Sequence, residues 1–337
     1  ADLTGVTAFE TIKGASNLAQ TITTVDANVA ATESLTIDMT ANTSATATVT
    51  IAAETNGAIT ILGGGATNTI TLSSSSMGDT YTGGAGADGV TVIGAQLTSA
   101  DTLDGAAGTD TLTIGTVGTL SDADFTNISN FETLVGGDGA ITMVLGAEYA
   151  GAGFTTHTEF DNNDTAAVNI TYGSGVTTAQ TYNINSSSTT LSAVGMTAAL
   201  EIKGVEADID SADTITGGSG SDTLTTTHGG TALSASDLTN VTSIETFKAA
   251  DNANGGYTFN DANFVSNNFT VNAEAVTTAT NTFTVDASAE DDSTMTYTGS
   301  AGIDTVTGTA TTATGDTIST GAAADVITGD AGGDTIT

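Results

Sequence analysis

The chain has 337 residues, with 39 Asp and Glu set against three Lys and no Arg, and a formal net charge of -36. That balance excludes nucleic acid and anionic membrane surfaces as natural partners and makes cations the expected ones. Cys is absent, so there is no disulfide framework, thiol nucleophile or thiolate metal site, and no apolar run is long enough to span a bilayer as a helix.

A hydrophobic content of 38% is too high for a solvated acidic tail, so the chain is expected to fold. With 10 Phe, 6 Tyr and no Trp it lacks the large side chains of a thick core. Thr-rich, β-branched stretches broken by Gly and Asn-Asp punctuation predict short strands and many turns.

In chain order, a first module is read over residues 1–95. It opens on Leu3-Thr4-Gly5-Val6-Thr7-Ala8-Phe9-Glu10-Thr11-Ile12, runs through strand-like sequence such as Ala47-Thr48-Val49-Thr50-Ile51, and ends in a glycine-rich cluster over 63–91. There Gly83-Gly84-Ala85-Gly86-Ala87-Asp88-Gly89-Val90-Thr91 matches G-G-x-G-x-D-x-U-x, U being a large apolar residue, and Asp79 lies nine residues before Asp88. The second module, 96–225, begins with a nonapeptide pair over 96–113, in which Asp101 lies nine before Asp110 and the second copy runs Gly105-Ala106-Ala107-Gly108-Thr109-Asp110. The opening motif returns over 125–134 as Phe125-Thr126-Asn127-Ile128-Ser129-Asn130-Phe131-Glu132-Thr133-Leu134, and the module closes on a pair over 208–225. In that pair Asp213 precedes Asp222 of Gly217-Gly218-Ser219-Gly220-Ser221-Asp222 by nine. The third module, 226–337, repeats the long motif over 238–247, from Leu238 to Phe247 with Glu245. It then carries a copy over 299–307 with Gly299, Gly302 and Asp304, and a last cluster over 311–337. In that cluster Asp316, Asp325 and Asp334 run nine apart, Gly329 and Gly332 belong to the final copy, and Ile318, Ile327 and Ile336 follow the aspartates in step.

The chemistry of the nonapeptide explains its residues. Gly lets the backbone turn with positive φ and approach an ion closely, and Asp at the sixth position supplies a carboxylate. The x-U-x that follows is a short strand with its middle side chain inward, so two nonapeptides make an 18-residue coil in which Val90, Leu112, Leu224, Val306 and Ile336 stack. Coils about 4.8 Å apart bring turn carbonyls and carboxylates around shared cavities lined by oxygen, which suits Ca²⁺. The nonapeptide Gly and Asp residues named above, from Asp79 to Asp334, are therefore the expected metal-site residues, with Ca²⁺ as cofactor and ion binding coupled to folding. For imperfect copies such as Thr320-Gly321-Ala322-Ala323-Ala324-Asp325 the alternative is a turn that keeps the coil and binds nothing. The expected fold is all-β, with parallel β-roll or β-helix solenoid modules bearing short nonapeptide clusters.

Other polar residues read more plainly. Glu10, Glu132 and Glu245 recur in the long motif and are expected to be solvated or capping in preference to ligating a cation. Glu159-Phe160-Asp161-Asn162-Asn163-Asp164 reads as a solvated loop in preference to an extra Ca²⁺ site. Lys13 and Lys248, each directly after a long motif, are placed to pair with its Glu or a neighbouring module's Asp. His157 and His228 belong to no H-E-x-x-H arrangement, and His228 is expected in a surface loop. No G-x-S-x-G elbow exists, and no enzyme activity is expected.

On these nonapeptides the chain resembles the repeats-in-toxin (RTX) proteins, and in its alternation of short clusters with Thr/Ala/Asn-rich strands it resembles Gram-negative surface-layer (S-layer) proteins. The resemblance implies Ca²⁺-loaded parallel β-rolls, type I secretion and an extracellular, cell-surface location. The expected function is structural: self-assembly of a Ca²⁺-stabilised solenoid into a lattice or filament through Ca²⁺-bridged acidic surfaces, with an outer-surface polysaccharide as a possible anchor. The sequence reads as a segment of a longer protein. Alternatives are an extender or binding region of a large RTX adhesin, or a passive secretion domain of an enzyme. A third is ice binding through outward Thr-x-Thr ladders, which the clusters alone make too short for a large regular plane.

Overall fold

The structure, a computed structural model, describes all residues except 1, 2, 4, 76, 93–95, 137, 160–166, 186–187, 265–267 and 313. The described residues form strands and turns with a single short α-helix, Ala147–Gly151. They fall into two compact units, Ala1–Asn162 and Asn163–Thr337.

In the first unit the strands Gln20–Thr23, Ala47–Thr50, Asn68–Thr71, Gly89–Val92, Thr111–Ile114, Thr133–Val135 and Thr156–Thr158 pair in that order, all parallel, as one wall. Thr11–Lys13, Ser34–Asp38, Ala58–Leu62, Thr80–Thr82, Thr102–Asp104 and Ile128–Ser129 form a second wall in the same way. Successive strands alternate between the walls, so each coil is two strands and two turns, and every strand finds its partner one coil away. A third, shorter parallel pair joins Thr116–Leu120 to Asp138–Leu145. In the second unit one wall runs Gln180–Asn183, Leu200–Val205, Thr223–Thr227, Thr246–Ala249, Phe269–Asn272, Met295–Ser300, Thr317–Gly321 and Thr335–Ile336. Its coils are completed first by Val168–Tyr172, Thr189–Ser192, Thr214–Thr216 and Val241–Thr242, then by Gly255–Thr258, Thr282–Asp286, Ile303–Thr307 and Val326–Thr328. The all-β parallel solenoid is the fold expected from the sequence.

Strand alternation sends every second side chain inward. Register stacks Ile22, Val49, Ile70, Val90, Leu112, Leu134 and His157 in one buried column of the first unit. Leu224 lies in the column Tyr182, Ile202, Leu224, Phe247, Val271, Tyr297, Ile318, Ile336, and Val306 lies in the column Tyr257, Val285, Val306, Ile327. The 18-residue coil holds where Thr317 pairs with Thr335, but Gly89 pairs with Thr111 and Glu201 with Thr223, which makes those coils 22 residues long. The extra residues enlarge turns such as Thr98–Asp101, closed by the Asp101 N–H on the Thr98 carbonyl.

The core is thin except where the long motif turns the chain. Around the 3-10 turn Asp122–Phe125, Phe125 packs edge-on against Tyr149 and Phe154, and Phe131 stacks on Phe154. In the second unit Phe247, Tyr257, Phe259, Phe264 and Phe269 form a comparable plug. All six tyrosines are fully buried, and the two ring clusters thicken the core locally, whereas Phe9 is exposed.

Candidate metal sites

A spacing of nine places successive aspartates on opposite walls: Asp79 leads into Thr80–Thr82 and Asp88 into Gly89–Val92. Neighbours in space are therefore one coil apart. Asp79 meets Asp101, Asp88 meets Asp110, Asp304 meets Asp325 and Asp316 meets Asp334. In each pair the backbone N–H of the first donates to Oδ1 of the second, at 2.8, 2.7, 2.9 and 2.9 Å. Asp213 and Asp222 meet no aspartate of the preceding coil and accept instead from the N–H groups of Thr189 and Leu200, both at 2.8 Å. Each carboxylate thus caps the entry of the previous coil's strand. Glu132 and Glu245 extend the series, taking the N–H of Asp110 at 2.7 Å and of Asp222 at 2.8 Å. Their expected capping role is what the geometry displays, whereas Glu10 is exposed.

The second carboxylate oxygen turns back into its own nonapeptide. Asp88 Oδ2 accepts the Gly84 N–H and the Tyr81 hydroxyl, and Asp222 Oδ2 the Gly218 N–H at 2.6 Å. Asp304 and Asp316 Oδ2 accept from Ser300 and Thr309. Asp110 differs: it is buried, its Oδ1 takes the Asp88 N–H, and its Oδ2 is buried with no hydrogen-bond partner. Burial pushes the Asp110 carboxyl up to about 6, helped by the charges of Asp88, Glu132 and Asp104 and opposed by the Asp88 N–H. Burial also raises Asp79, Asp222, Asp304 and Asp316.

The first glycine of each repeat lies where oxygens converge. A Cβ on Gly83 would collide with the Gly105 carbonyl oxygen and stand 2.6 Å from Asp88 Oδ2; on Gly105 it would collide with the Asn130 carbonyl oxygen and stand 2.8 Å from Asp110 Oδ2. Gly217 has the same relation to the Ser243 carbonyl and Asp222, Gly299 to the Thr320 carbonyl and Asp304, and Gly329 to the Asp334 carboxylate. At later positions Gly84, Gly218, Gly220, Gly302 and Gly332 face the carbonyl oxygens of Gly64, Met196, Ala198, Asn281 and Thr314, and Gly86 is pressed against the Ala66–Thr67 peptide. Among these repeat glycines only Gly108 and Gly332 have positive φ, 155° and 107°. Close approach between coils, more than turn conformation, is therefore what requires glycine here. In the imperfect copy Ala323 occupies the fourth position at φ 120°, a strained conformation for a residue with a Cβ.

These turns fit a hard cation. No group of three or more His, Cys, Asp or Glu side chains converges among the described residues; each turn instead offers about one carboxylate beside backbone carbonyl oxygens, a donor set suited to Ca²⁺. Asp110 Oδ2 and the Asn130 carbonyl, at the Gly105 cradle, are the clearest such pair.

Elsewhere the structure amends the sequence reading. His228 is not in a surface loop: it is 3% exposed, with its ring edge-on to Tyr257 and Phe283, because Gly255 leaves room for the imidazole in the aromatic plug. Of the acidic loop, Glu159 is buried, and 160–164 lie outside the described residues. Lys13 approaches Asp38 at 3.9 Å, and Lys203 approaches Glu201 at 3.0 Å. Sequence reasoning missed Asn28 and Asn263. Each takes on Oδ1 the N–H of the residue just before its turn, Val25 or Asn260, and donates through Nδ2 to two carbonyls of the long motif, Leu3 and Val6 or Leu238 and Val241. Their signal was the shared Asp-Ala-Asn, Asp26–Asn28 and Asp261–Asn263, each some 23 residues beyond a long motif's start.

The model of the RTX calcium-binding nonapeptide repeat matches residues 98–113, 210–229 and 311–337, in four copies. No curated protein and no solved structure matches the chain. The matched spans contain Asp101, Asp110, Asp213, Asp222, Asp316, Asp325 and Asp334, the residues that the fold sets as capping carboxylates along its walls. Over those three spans the chain thus carries RTX-type calcium-binding nonapeptide repeats, with Ca²⁺ as their ion, within a parallel β-solenoid.

Proposed function

We propose that this chain is a structural, non-catalytic segment of a protein secreted by the type I route, a Ca²⁺-stabilised solenoid that assembles into an S-layer or related surface lattice. The observation that carries the reading is charge. At a net -36, with Lys13 and Lys203 already near carboxylates of the same chain, two copies can bring their faces together only with cations between them. Ca²⁺ then serves twice, inside coils and between copies. The test is a Ca²⁺ titration followed by circular dichroism and electron microscopy, with Mg²⁺ as control. Ordered arrays appearing with β-structure support the lattice; β-structure in particles that stay single moves the reading to an adhesin extender.

A second reading, ice binding, draws support from the register of the first unit. Thr21, Thr48, Thr69, Thr111, Thr133 and Thr156 form one outward column, interrupted at Gly89, and Thr23, Thr50, Thr71, Thr91, Thr113 and Thr158 form its companion, interrupted at Val135. Strands outside the nonapeptide clusters lengthen these columns, which repeat at about 4.8 Å, well beyond what the clusters alone provide. Absence of thermal hysteresis in the Ca²⁺-loaded protein would rule this reading out.

A further inference from the structure

The nonapeptide turns do not account for every buried charge. Glu54 and Glu290 are both 0% exposed and lie outside the matched repeats. Each ends a corner turn just after a wall strand, with the Glu54 N–H on the Ile51 carbonyl and the Glu290 N–H on that of Ala287. Each side chain folds back under its own turn. Glu54 Oε1 accepts the N–H groups of Thr55, Asn56 and Gly57 at 3.1, 3.0 and 2.8 Å, and Glu290 Oε1 those of Asp292 and Ser293 at 3.1 and 2.9 Å. At Glu290 burial raises the carboxyl and these N–H groups oppose that rise.

The other oxygen of each glutamate, Oε2, is buried without a hydrogen-bond partner. A charged oxygen withdrawn from water and left unpaired is among the costliest groups in a protein interior. At the first corner it has company. Asn56 Oδ1 and Thr24 Oγ1 are also buried and unpartnered. Thr24, 1% exposed, enters the same corner one coil earlier, since Thr23 pairs with Thr50 and the Thr24 N–H donates to the Thr50 carbonyl. At the second corner Asp292 stands where Asn56 stands at the first, two residues after the glutamate. No lysine serves either corner: Lys13 lies by Asp38, Lys203 by Glu201, and Lys248 is exposed on its strand.

We propose that the Glu54 and Glu290 corners each bind a divalent cation of the Ca²⁺ class, through Oε2 of the glutamate and, at the first corner, Thr24 Oγ1 and Asn56 Oδ1. Oxygen-only donors with a carboxylate at their centre select a hard cation. These two sites extend ion dependence to coils that carry no matched nonapeptide, and they stand independently of the lattice reading.

The test counts ions on the full chain by native mass spectrometry in Ca²⁺, comparing the parent with Glu54→Gln, Glu290→Gln and the double variant. Gln keeps the shape and the Oε1 acceptor and removes the charge. One ion fewer in each single variant and two fewer in the double variant are expected, and an unchanged count overturns the proposal. Asp88→Asn serves as a control that alters a nonapeptide turn and leaves both corners intact. Should a variant fail to fold, crystals of the parent in Ca²⁺ decide: anomalous density about 2.3–2.6 Å from Glu54 and Glu290 Oε2 upholds the sites, and a water or empty density there refutes them.

Discussion

At a sixth-position aspartate, one oxygen holds the previous coil's strand entry and the other points into its own turn, toward a glycine that cannot carry a Cβ. Gly83→Ala, which would drive a methyl into the Gly105 carbonyl and the Asp88 carboxylate, is expected to cost about 1–3 kcal/mol and to weaken Ca²⁺ binding, as read by denaturant melts with and without Ca²⁺. Gly89 is the counter-case, because a Cβ there meets nothing within 4 Å and the residue interrupts a threonine column. Gly89→Thr is expected to add roughly 0.5–1 kcal/mol of stability, measured in the same melts. His157 yields a pH prediction. Its burial pushes the imidazole down to about 3, so the folded chain keeps it neutral while the unfolded chain protonates it below about 6.5. Its stability contribution is complete above about pH 6.5 and is lost as pH falls toward 3, at about 1.4 kcal/mol per pH unit. The stability difference between the parent and His157→Leu, followed by denaturant melts, should be flat above that window and slope within it; a flat difference throughout would refute the assignment.

At the scale of the element, the corners decide whether a coil closes. Asn263 satisfies two carbonyls and one N–H around the turn Asp261–Asn263, so Asn263→Ala leaves the Asn260 N–H and the Val241 carbonyl without partners and removes one of two donors from the Leu238 carbonyl. With the Leu238 carbonyl still held by the Val241 N–H, an unfolding cost of about 1–3 kcal/mol is expected, with amide exchange rising first at Leu238–Thr242, and no measurable loss would assign the clamp to other residues. The corners also mark the limit of what was legible in the sequence. Walls, inward columns and alternating aspartates were readable because a two-residue alternation and a nine-residue period are properties of the chain alone. Asn28, Glu54, Glu290 and His228 were not, because whether a polar side chain lies over or under its turn is decided by the coil stacked against it. Coil length escaped for the same reason: Thr98–Asp101 lengthens a turn without disturbing the nine-residue phase of Asp101 and Asp110. The nonapeptide aspartates were legible as a phased carboxylate series, yet their hydrogen bonds to the previous coil depend on a register that only stacking supplies.

At the scale of the whole molecule, each wall joins residues about one coil apart along the chain, and no strand is stable before its neighbour arrives. Folding of such parallel pairings is slow, but the chain has no proline, so refolding started by Ca²⁺ should lack the tens-of-seconds isomerisation phase. Stopped-flow fluorescence of the tyrosines, with and without a prolyl isomerase, checks this; a phase that the isomerase accelerates would contradict it. The carboxylate series also gives the solenoid a direction. Asp88 lends its N–H forward to Asp110, and Asp110 in turn to Glu132. A cut between two coils is consequently unsymmetrical, leaving a bare donor on the upstream fragment and a vacant acceptor on the downstream one. Fragments made this way are complementary tail to head and not to themselves, the polarity that grows into open fibres instead of closed pairs.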